Sequence, residues 1–112
     1  LHSDHAGNRT DDLYFGGVAF ADQVRGLPLV APPGSAFRYA NNDTVAAVYG
    51  LEQALGGGER ALRFPFEALL WRIGMTRTVP ETDWRGTFIL SSQVWTTARD
   101  LARLGLLYQQ DG

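Results

Sequence analysis

Apolar positions along the chain fall into four stretches of helical spacing, separated by glycine- and proline-rich breaks. In the first stretch Leu13, Phe20 and Val24 recur at about the 3.6-residue helical period. It opens near Thr10 or Asp11, where Asp11 and Asp12 put negative charge at a helix N-terminus, and closes near Gly26. Gly16 and Gly17 interrupt it, each weakening a helix by about 1 kcal/mol relative to alanine. Leu27 to Phe37 carries Pro28, Pro32, Pro33 and Gly34, so it is predicted to be loop with a Pro33-Gly34 turn. A second helix is predicted from Asn42 to Leu55, striped by Val45, Val48, Leu51 and Leu55. Asn41, Asn42 and Asp43 all suit its N-cap, and Gly56-Gly57-Gly58 ends it. A third helix is predicted over Pro65 to Ile73, with Pro65 in the first turn and Gly74 as the stop. Met75 to Trp95 reads as loop with one short strand around Thr87–Leu90. In the last helix, Thr97-Ala98-Arg99-Asp100 resembles a capping box with Asp in place of Glu, and Leu101, Leu104, Gly105 and Tyr108 share a face. The predicted fold class is mainly α, about four helices with long loops. Residues 1–112 form one unit without repeat, linker or low-complexity tract.

Composition narrows the function classes. A chain of 112 residues, 45% hydrophobic and 12% aromatic, is not a disordered one. The 12 acidic residues against 10 basic ones give a net charge of -2, which argues against a nucleic-acid partner. No apolar run approaches the ~18 residues of a membrane span. The absence of cysteine excludes disulfides, thiolate metal sites and cysteine nucleophiles. All 10 basic residues are arginine, so this chain holds no lysine to serve as a general base. Trp71, Trp84, Trp95, Phe64, Phe66 and Phe88 are more large aromatics than four short helices bury, so an exposed apolar patch is expected. The lack of an initiating methionine and the helix-end pattern Gln109-Gln110-Asp111-Gly112 lead us to expect a piece of a larger protein.

Three groups of residues invite a chemical reading. His2-Ser3-Asp4-His5 has metal-ligand spacing, but the chain has only these 2 histidines, too few for a hydrolytic zinc centre. It is expected to be a solvated loop, and no metal or organic cofactor is implied. Ser3, Ser35, Ser91 and Ser92 are each followed three residues on by Ala6, Arg38, Val94 and Trp95, never by the lysine that would take a hydroxyl proton. Ser91 and Ser92 are expected to satisfy loop backbone groups. Tyr39 and Asn41 lie two apart just before a predicted helix. Tyrosine can relay a proton, and asparagine offers donor and acceptor to an amide. The alternative is a core tyrosine beside a capping asparagine.

The run Pro33-Gly34-Ser35-Ala36-Phe37-Arg38-Tyr39-Ala40-Asn41-Asn42 resembles the Pro-Gly-x-x-aromatic-x-Tyr-Ser-Asn segment of the serine β-lactamase and penicillin-binding-protein superfamily. It is most similar to class C β-lactamases, related esterases and 6-aminohexanoate-dimer hydrolases. Arg72-Ile73-Gly74-Met75-Thr76 and Thr96-Thr97-Ala98-Arg99-Asp100-Leu101-Ala102-Arg103-Leu104-Gly105 resemble later segments of that branch, in the same order. Asp12-Leu13-Tyr14-Phe15-Gly16-Gly17 suits it too. The resemblance implies the helical middle portion of a larger α/β hydrolase with an antiparallel sheet flanked by helices. In such a protein Tyr39 would be catalytic, Asn41 would bind substrate, and the partner would be a small amide, ester or β-lactam. Ala40 stands where serine is usual. The Ser-x-x-Lys motif of the family is absent here, since the chain has no lysine. The rival expectation is a non-catalytic helical module that kept the scaffold.

Overall fold

The computed structural model describes residues 14–112. The glycine pair ends a helical turn at Tyr14–Phe15 and delays the next helix. Gly17 takes φ +67°, in the left-handed region that glycine tolerates and other residues avoid, and Ala19 is extended. Helix α1 therefore covers only Phe20–Arg25. The helix predicted from Thr10 or Asp11 to Gly26 is broken rather than continuous: Tyr14 and Phe15 are helical, and two glycines in succession hold too little helical preference to carry the helix on to Phe20. The residues before Tyr14 lie outside the described region.

Helix α2 spans Asn41–Leu55 and stops at Gly56 with φ 86°, as its glycine run predicts. Its cap position belongs to Ala40, so none of Asn41, Asn42 or Asp43 holds that place. Helix α3 runs over Gly58–Pro65 and passes into a π-helical turn at Phe66–Leu70. The predicted third helix was thus placed seven residues late. Gly58 opens this helix rather than ending the previous one, and Pro65 sits in its last turn instead of its first. Arg63 lies between Glu59 and Glu67 along this segment, 3.6 Å and 2.6 Å away. These spacings are the i,i+4 contacts that steady an exposed helix.

The segment that follows folds back on itself. Strand β1 (Val79–Pro80) pairs antiparallel with β2 (Val94–Trp95), Val79 opposite Trp95. Nearer the tip, Thr82 and Phe88 form a single antiparallel bridge. The strand expected at Thr87–Leu90 reduces to that one bridge. Asp83 organises the tip. Its Oδ1 accepts from the backbone N–H groups of Arg85 and Thr87, both at 2.9 Å, and its Oδ2 accepts from Phe20 N at 2.9 Å. One side chain thus closes an Asx-type turn and fastens it to the first residue of α1. Asp83→Ala is expected to cost about 1–3 kcal/mol, the penalty for leaving such donors without an acceptor. A urea titration at neutral pH measures it, and an unchanged midpoint would show the turn to be held by other contacts.

Helix α4 covers Ala98–Gln109, with Thr97 as its N-cap accepting from Asp100 N. The apolar core gathers Phe20 and Val24 of α1, Val45 of α2 and Ile89 of the turn, with Tyr14 and Ala46 packed against it. Phe66 stacks near Trp71 and Phe88 at centroid distances of 5.6 Å and 6.3 Å. Phe88 is buried, but Trp71, Trp84 and Trp95 remain more than half exposed. On α4, Leu101 and Tyr108 also face solvent, so the face predicted for that helix exists without a covering partner among the described residues. The described chain is therefore mainly α, four helices and one two-stranded antiparallel pair. No helix among the described residues is long and apolar enough to cross a membrane.

Candidate functional site

Tyr39 and Asn41 sit where an extended loop turns into α2. Ala40, between them, has φ -150° and ψ 122°, so the backbone is extended at the junction and helical from Asn41 onward. In extended backbone successive side chains point to opposite sides. Ala40 is buried while Tyr39 is 72% exposed. The tyrosine is therefore no core residue, and its hydroxyl makes no hydrogen bond to a described residue. Asn41 holds the first helical position and is partly buried. An open hollow of about 280 Å³ lies beside Tyr39, lined by residues 36–40 with Asp43 and Thr44. The structure thus brings Tyr39 to an accessible surface at a helix entry, with Asn41 two residues on.

The serines have other engagements. Ser35 donates its hydroxyl to Pro32 O at 2.7 Å, closing the Pro33-Gly34 turn. Ser91 shares a 2.9 Å hydrogen bond with the Tyr14 hydroxyl. The Ser92 hydroxyl is buried without a partner among the described residues. Neither side chain serves the loop backbone as expected: Ser91 faces a phenol 77 positions away in sequence, and Ser92 is held through its backbone N–H to Ile89 O. No group of three or more His, Cys, Asp or Glu that could hold a metal occurs among the described residues. The His2-Ser3-Asp4-His5 run lies outside them.

Three polar residues take structural roles that the sequence reading did not assign: Asn42, Glu52 and Asp100. Asn42 is fully buried on the inner side of α2, and neither of its amide atoms finds a hydrogen-bond partner among the described residues, a state that ordinarily costs about 1–3 kcal/mol per group. Glu52, partly buried on α2, accepts from Phe88 N at 3.1 Å. Burial pushes its carboxyl above the usual value, and the nearby Asp83 charge adds to this, against the Phe88 N–H and Thr87 hydroxyl that favour its charged form. Asp100 is only 1% exposed. Its Oδ2 accepts from Arg77 N at 2.7 Å and from the Thr78 hydroxyl at 3.0 Å, and its Oδ1 from Arg103 at 2.8 Å. Thr96 lies 2.7 Å behind Thr78, so the hydroxyls can line up from Thr96 through Thr78 to the carboxylate. Only half of the capping box forms. Thr97 receives Asp100 N as expected, but the Asp100 side chain reaches across to the Arg77–Thr78 segment instead of back to Thr97. Burial alone would raise the Asp100 carboxyl, but the Arg77 N–H, the Thr78 hydroxyl and Arg103 outweigh it and hold the group below the usual range.

No protein-family model, curated protein or solved structure matches this chain.

Proposed function

We propose that the chain is the helical portion of a β-lactamase-related serine hydrolase that works through an acyl-enzyme on an amide, ester or β-lactam. The observation that carries this reading is the placement of Tyr39 and Asn41. The structural roles that would explain them are a core tyrosine and a helix cap. Tyr39 is exposed, and the cap position belongs to Ala40. Tyr39 lines a hollow at one end of α2, and Asn41 follows two residues on at the first helical position.

In this reading a serine outside these 112 residues attacks the carbonyl carbon. The serine oxygen forms the new C–O bond, and the bond to the amide nitrogen or ester oxygen breaks. The Tyr39 hydroxyl relays the proton lost by the serine hydroxyl to the departing atom. The Asn41 amide, both donor and acceptor, orients the substrate amide. Water then releases the acyl group. The exposed Trp71, Trp84 and Trp95 belong, in the same reading, against the antiparallel sheet of the larger fold. In a non-catalytic module they would meet a partner protein.

A fluorescent penicillin and a p-nitrophenyl ester separate the two. The 112-residue chain is expected to take no covalent label, because it offers no serine–lysine pair. The protein encoded by the whole reading frame is expected to be labelled at one serine that a lysine follows at the third position. Labelling with turnover at Ser35, Ser91 or Ser92 would overturn the first expectation. A whole protein without such a serine would leave the non-catalytic module.

A further inference from the structure

Although the chain is acidic overall, positive charge collects at the start of α4. An open hollow of about 260 Å³ is lined by Thr76, Arg77, Thr97, Arg99, Asp100 and Arg103. Three arginines and one aspartate border it. That carboxylate is fully engaged, its two oxygens accepting from Arg77 N, Thr78 and Arg103. Arg103 is accordingly fixed and neutralised. It also lies against Gly74, whose missing Cβ would stand 3.3 Å from Arg103 Nε. The guanidiniums of Arg77 and Arg99 are different. Both residues are exposed and neither pairs with a carboxylate among the described residues. Thr97 Oγ1 accepts from Asp100 N, so its own O–H proton remains to be donated.

We propose that this hollow binds a phosphate dianion, free or as a phosphomonoester, gripped by Arg77 and Arg99 with the Thr97 hydroxyl as a further donor. Each guanidinium presents a planar fork of parallel N–H groups, which matches two oxygens of an oxyanion. A carboxylate has oxygens for one fork only. Phosphate has three terminal oxygens or more and can face both forks together. The surplus of positive charge over Asp100 balances a dianion, and the volume leaves room for the anion and its remaining water. The site lies apart from the Tyr39 hollow, which shares none of its lining residues, and it does not depend on the hydrolase reading.

Titration of the 112-residue chain with inorganic phosphate and with phenyl phosphate, followed by NMR of the arginine Nε–H signals in a constant background of chloride, tests this. The expected result is saturable binding of one phosphate, with shifts at Arg77, Arg99 and Arg103. Equal affinity for the two probes identifies free phosphate as sufficient, and tighter binding of phenyl phosphate identifies a phosphomonoester. Arg77→Gln and Arg99→Gln should each weaken binding roughly fivefold without moving the thermal midpoint measured in the absence of phosphate. Arg99→Lys, which keeps the charge and loses the fork, should fall between. Arg60→Gln, an exposed change on α3, should leave binding as it is. A response that never saturates and that added chloride reproduces would overturn the proposal, as would full affinity in the Arg77→Gln/Arg99→Gln double variant.

Discussion

Asp100→Ala is expected to lower the thermal midpoint of the chain by about 10 °C, since ~1 kcal/mol moves a domain of this size by about 4–8 °C and the loss of a buried hydrogen-bonded network ranks among the large destabilising changes. The substitution strips the acceptor from Arg77 N and from Thr78, and it leaves Arg103 beside Gly74 without its counter-ion. Three segments separate as a result: the turn after the π-helical stretch, the start of β1 and the first turn of α4. Asp100→Asn keeps an acceptor oxygen but no charge and should lose about half as much. The pH dependence carries a definite sign. The folded carboxyl is held below its unfolded value, so its contribution is complete above the ordinary aspartate pKa of ~3.9 and disappears as pH falls through the folded value. The gap between Asp100→Ala and wild type should therefore be wide at neutral pH and narrow in strong acid. Circular-dichroism melts across that range measure it, and equal midpoints at neutral pH would mean that the network contributes nothing.

The second large effect is kinetic and belongs to the complete hydrolase of our proposal. Tyr39→Phe keeps the ring and removes one hydroxyl. Tyr39 is 72% exposed, so little stability depends on that oxygen and the thermal midpoint should move by no more than a few degrees. A proton relay contributes about 10²–10⁴-fold to turnover. We expect kcat to fall at least tenfold, with the acylation step slowed when the labelling rate is followed directly. Asn41→Ala is a poorer probe, because the residue opens α2 as well as, in our proposal, binding substrate, and stability and rate would fall together. Wild-type turnover in Tyr39→Phe would remove the relay and leave Tyr39 as a surface residue.

What the sequence discloses depends on how local its physics is. Thr97 and Asp100 announce the start of α4 because a side chain bonds a backbone group three residues away, and that spacing is visible in the letters. Gly56 announces the end of α2 by an equally local property, a φ of 86° that glycine adopts without steric cost. The start of α3 is silent. Gly58 opens it without a capping side chain, and a glycine in that place reads as a terminator. Strands β1 and β2 are two residues each, too short to show an alternation, and they exist because Val79 meets Trp95 across a turn pinned by Asp83. At the candidate site, the pairing of Tyr39 with Asn41 is legible as a motif, while the exposure of the tyrosine is not. That exposure follows from the buried Ala40 setting the direction of its neighbours. The reach of Asp100 to Arg77 spans 23 positions, a contact that no local pattern encodes.

The glycine triplet between α2 and α3 has one more implication. Gly56, Gly57 and Gly58 take φ values of 86°, 69° and 60° in succession, yet a Cβ built on any of them meets nothing within 4 Å. Space is plentiful there, so volume is not what excludes a side chain. The exclusion is one of chirality: the backbone follows the mirror image of the conformation that L-residues prefer. The positive φ values are the ones that D-amino acids prefer, so the handedness of the ordinary amino acids, not crowding, keeps the turn bare.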